Sequence, residues 1–89
     1  MRDALYVKSV LDNIITSEYK GTPEGKLIYN ARVTNLEWAY NEGNLRTEGE
    51  IETKIQSIKE ELIACEFAGD RGINYKTALS KLKDLNGIL

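Results

Sequence analysis

Apolar residues recur along the chain with helical rather than alternating spacing, in four segments separated by three short breaks. In the first segment, about Arg2 to Lys20, Val7, Val10, Leu11 and Ile14 stand at i, i+3, i+4 and i+7 with Ile15 beside them, which is one stripe of an amphipathic helix. Gly21 then offers a left-handed C′ position, Thr22 an N-cap and Pro23 the favoured first helical residue. The second segment, about Pro23 to Glu42, is apolar on two flanks. Leu27, Ala31 and Trp38 cluster on one side and Tyr29, Val33, Leu36 and Tyr40 on the other, with Ile28 and Ala39 between them. Such a helix is either sandwiched centrally in the fold or offers one flank to a partner.

Gly43 and Asn44 end the second segment, and Thr47-x-x-Glu50 is a capping-box pattern for the next. Ile51, Ile55, Ile58, Leu62 and Cys65 follow a heptad-like spacing, too short for a free coiled coil but suited to a bundle seam. After Gly69-Asp70-Arg71-Gly72, Asn74 is placed to cap a last helix whose stripe is Tyr75, Ala78, Leu79, Leu82 and Leu85, closed by Asn86-Gly87. The prediction is an all-α fold, a small antiparallel bundle of about four helices with short connections. One domain spans residues 1–89, with helices at about 2–20, 23–42, 48–67 and 75–86.

Length limits that domain. A folded chain of 10.1 kDa is expected to expose roughly 5,300 Å² against about 14,600 Å² unfolded, which leaves a modest core. Twelve Lys and Arg against fourteen Asp and Glu give a net charge of −2, neither a basic nucleic-acid coat nor an acidic decoy. The charge is unevenly placed: residues 45–68 hold three cations and six carboxylates, whereas residues 69–89 hold four cations and two carboxylates.

The complete lack of histidine removes His-based triads, the usual zinc sites and the ordinary pH switch. A single cysteine, Cys65, gives no intramolecular disulfide and falls on the heptad seam, where a thiol normally fills core space. No secretory or membrane-spanning run is present, and no Asn-x-Ser/Thr acceptor occurs. A cytoplasmic protein of bacterial or phage type fits these features.

Three chemical motifs fail on their own terms. Gly21-x-x-x-Gly25-Lys26 is one residue short of a phosphate loop, is followed by Leu27 and has no preceding strand. Glu48, Glu50 and Glu52 point in different directions around a helix and do not converge on a cation. No base can be paired with a nucleophile, so the expectation is no enzyme, no catalytic residue, no metal and no cofactor.

Two binding surfaces remain. Tyr6, Tyr19, Tyr29, Trp38, Tyr40 and Tyr75 are many amphipathic rings for a small core, and such rings are enriched at interfaces. The leading expectation is therefore a non-enzymatic protein–protein interaction module that docks on a larger protein, or on itself as a homodimer, through Tyr29, Val33, Leu36, Trp38 and Tyr40. A phage-type or mobile-element-type inhibitor or accessory factor is one such module. The alternative is a small DNA-binding regulator, because residues 64–85 have the order of a helix-turn-helix and would read bases with Asn74, Lys76, Thr77 and Lys81. Arg71 at a usually apolar position, Lys81 at an inward one and the acidic neighbouring helix depart from that pattern.

Overall fold

The computed structural model describes residues 1–17 and 21–89, which form four helices and one small hairpin. Helix α1 runs Ala4–Thr16 and starts where the Asp3 carboxylate accepts the Tyr6 N–H at 2.9 Å. It stops earlier than expected. The hydroxyls of Thr16 and Ser17 donate to carbonyls of the preceding turn, and Ser17 is extended. Gly21, at φ +65°, is therefore not the C′ residue of α1 but turns the chain into the next cap. Glu18, Tyr19 and Lys20, the expected last turn, lie outside the described residues.

Helix α2, Pro23–Ala39, begins as its sequence dictates, with Thr22 Oγ1 accepting the Gly25 N–H at 3.0 Å and Pro23 in the first turn. Its end departs from the expected Glu42. Glu42 (φ 50°) and Gly43 (φ 82°) form a two-residue turn with both φ positive, so Tyr40–Asn41 (β1) folds back on Asn44–Leu45 (β2) as a hairpin. Arg46 ties this hairpin to the helix by donating through Nε to the Trp38 carbonyl at 2.7 Å.

Helix α3, Glu48–Phe67, has the expected limits and a complete capping box between Thr47 and Glu50. It ends in a Schellman turn. Gly69 is left-handed at φ +70°, its N–H donating to the Glu66 carbonyl and that of Asp70 to the Cys65 carbonyl. Helix α4 then runs Ile73–Ile88, longer at both ends than expected. Asn74 does not cap it; Asp70 accepts both the Gly72 N–H and the Asn74 side-chain amide. Asn86-Gly87 does not close it either, because Ile88 is buried in the core and its carbonyl accepts the Arg2 N–H at 2.6 Å.

The four helices pack as a small all-α bundle around one apolar cluster that includes Val7, Leu11, Leu36, Ile51, Ile58 and Leu85. Helix α4 lies against both α2 and α3, and α2 lies against both α1 and α4, so α2 and α4 are the two central helices and the two flanks of α2 face different neighbours. Glu24 pairs with Lys76 and Arg32 with Asp84, the same step along each helix, which sets α2 and α4 running in the same direction. The fold measures 38 × 32 × 16 Å. Its short dimension is about the depth of two helix layers.

Candidate functional site: a groove above helix α4

Helices α2 and α3 flank α4 and leave two adjoining depressions that share Lys81. One, of about 540 Å³, is bounded by Leu27 of α2, Glu61, Ala64 and Cys65 of α3, and Ile73, Asn74, Thr77 and Ala78 of α4. The other, of about 390 Å³, is bounded by Asn30, Ala31, Thr34, Asn35 and Trp38 of α2 with Lys54 of α3. Together they form a groove from Leu27 to Trp38, about 16 Å along α2.

The cause is visible in the seam of α3. Ile51, Ile55 and Ile58 are buried, but Leu62 and Cys65 are only partly so, since α3 meets its neighbours along its first half more fully than along its second. Beyond the groove edge, Ile63 and Phe67 stand one turn apart on the open side of α3, 61% and 95% exposed. Leu27 on the opposite wall is 56% exposed.

Both ends mix apolar and polar side chains: Leu27, Ala64, Ile73 and Ala78 stand among Glu61, Asn74 and Thr77 at one, and Ala31 and Trp38 among Asn30, Thr34 and Lys54 at the other, where the Lys54 ammonium lies 5.3 Å from the Trp38 ring centre. Midway, Lys81 reaches Glu61 at 3.6 Å, and its backbone carbonyl accepts the Asn35 side-chain amide at 3.4 Å. Asn35 is buried and its Oδ1 has no protein hydrogen-bond partner, an unusual cost beneath a groove. On the far side of α2, Arg32 grips Asp84 through two hydrogen bonds of 2.8 and 2.9 Å, which raise the guanidinium pKa despite partial burial.

The residues expected to dock a partner do not share one surface. Leu36 is 0% exposed and cannot be a contact in the folded chain; Tyr29, Val33 and Tyr40 pack against the core beside it. The Tyr29 hydroxyl donates to the Ile15 carbonyl at 3.3 Å, so this flank serves the joint with α1. Only Trp38 reaches the groove. Of the residues expected to read DNA, Asn74, Thr77 and Lys81 line the groove, Asn74 exposed and the other two half-buried. Lys76 pairs with Glu24 at 2.7 Å and Lys81 with Glu61.

One member of the first set and three of the second thus meet in one concavity. The sequence reading missed its α3 wall and the Ile63–Phe67 ridge, although their apolar i, i+4 spacing off the seam is a legible signal. Among the described residues there is no cluster of acidic or thiol side chains able to hold a metal, and no helix long and apolar enough to cross a membrane. Comparison with protein-family models, curated proteins and solved structures finds no match to the chain.

Proposed function

We propose that the protein is a non-enzymatic interaction module, which acts in the cytoplasm by docking on a larger protein and receiving one of its helices in the groove above α4. The groove itself carries this reading. It has the length of about three helical turns, with Leu27, Ala31 and Trp38 along one wall for apolar anchors and Lys54 and Lys81 placed to meet a carboxylate, which suit helix-in-groove recognition. A module of this size without catalytic groups suits the inhibitor or accessory-factor role found among phage-type and mobile-element-type proteins, an analogy from size and composition.

The test is affinity capture from host lysate with the wild-type chain and three variants as bait. Leu27→Glu and Trp38→Ala are expected to lose the captured protein while their circular dichroism stays helical. Ile15→Glu, on the exposed side of α1 away from the groove, is expected to keep it. Equal capture by all four baits overturns the assignment of the groove.

A further inference from the structure

Resting on the reading of the groove as a helix-receiving site, we infer the chemistry of the helix it receives: an Asp or Glu seated between Lys54 and Lys81, with an apolar side chain seven residues away in the depression beside Leu27.

Charge decides which end takes the acid. Across both depressions the charged lining is Lys54, Lys81 and Glu61, so one cation is left over, and it sits at the Trp38 end. Among the described residues no carboxylate pairs with Lys54, whose ammonium lies 5.3 Å from the Trp38 ring centre. Lys81 reaches Glu61 only at 3.6 Å, against 2.7 Å between Lys76 and Glu24. The remaining polar lining here, Asn30, Thr34 and Asn35, is neutral. An apolar side chain laid over this depression would take Lys54 out of water without a counter-charge. A carboxylate avoids that cost and adds charge-assisted hydrogen bonds.

The depression beside Leu27 selects the other residue. Its charges are the Lys81–Glu61 pair, already balanced, and Leu27, Ala64, Ile73 and Ala78 give it aliphatic carbon. Leu27 in this depression and Thr34 in the other are seven residues apart on one face of α2, two turns or about 10 Å. A helix laid along α2 covers that distance with seven residues of its own, so its acid and its apolar anchor stand at i and i+7.

Trp38 is the single tryptophan of the chain, so its fluorescence reports occupation of this end. The probes are alanine-based helical peptides with one leucine and one glutamate seven residues apart, in both orders, and the same peptides with glutamine for glutamate. One order is expected to shift the Trp38 emission saturably. Its glutamine counterpart is expected to bind about ten-fold more weakly, the worth of one hydrogen bond to a charged group. Lys54→Gln is expected to erase this preference and Lys54→Arg to keep it, both with wild-type circular dichroism. Equal binding of the glutamate and glutamine peptides overturns the inference and leaves the groove a helix site. A glutamate preference that survives Lys54→Gln also overturns it, because the acid then sits elsewhere. Silence of Trp38 toward every peptide overturns it as well; the docking groove stands if Leu27→Glu and Trp38→Ala still lose the captured target, and is overturned with it if they do not.

Discussion

Gly25 shows why a glycine stands in a motif that fails as a phosphate loop. A Cβ at this position would lie 2.8 Å from Thr22 Oγ1, the atom that caps α2, so the glycine keeps the N-cap hydroxyl in place. Gly25→Ala is expected to cost about 1 kcal/mol, the worth of a cap, in urea unfolding. Gly49→Ala, in the first turn of α3 with nothing within 4 Å of the added carbon, is expected to stabilise by roughly 0.5 kcal/mol. If the two alanines have equal effects, the cap argument fails. Thr22 and Pro23 were legible as a helix start from their types alone, whereas the close contact behind Gly25 depends on a rotamer that a sequence does not display.

At the scale of an element, α3 is the helix most fully written in its sequence. Thr47 and Glu50 cap it reciprocally, with Arg46 Nη1 on the second carboxylate oxygen at 3.0 Å. The backbone N–H of Thr47 holds the Glu50 carboxylate below its usual pKa, and the side chains of Arg46 and Thr47 add to the effect. A carboxylate whose pKa is depressed on folding contributes stability above its unfolded pKa and loses it as pH falls through the folded value. The wild type is therefore expected to lose more melting temperature than Glu50→Gln as pH is lowered from neutrality through and below the ordinary glutamate value of 4.5. Parallel pH profiles would show that the box contributes nothing through charge. The end of α2 was less legible. Asn41 to Asn44 contains turn residues that stop a helix, but only the paired positive φ of Glu42 and Gly43 makes the stop a hairpin. Arg46 then spans the hairpin to reach the Trp38 carbonyl.

For the whole molecule, apolar side chains divide into those the core uses and those it leaves outside. Leu85→Ala, at 0% exposure in the shared cluster, is expected to destabilise by about 3 kcal/mol through lost burial and an incompletely filled cavity. Phe67→Ala, at a side chain 95% exposed, is expected to change the stability of the folded chain by less than about 0.5 kcal/mol, although it deletes the larger side chain. Denaturant titrations of both variants at low chain concentration check the pair, and a large loss at Phe67 would place it in the core. The sequence by itself determined four helices, the starts of α2 and α3 and the apolar stripes, because caps, breakers and periodicity act over a few residues. Which flank of α2 became core was decided only when α1 and α4 closed on it, burying Leu36 and leaving Leu27 and Trp38 on a groove. The groove too belongs to the tertiary structure, since a concavity exists only where separate helices stand apart. Asn74, Thr77 and Lys81 were singled out from a local pattern, and only packing placed them beside α2 and α3 on one groove.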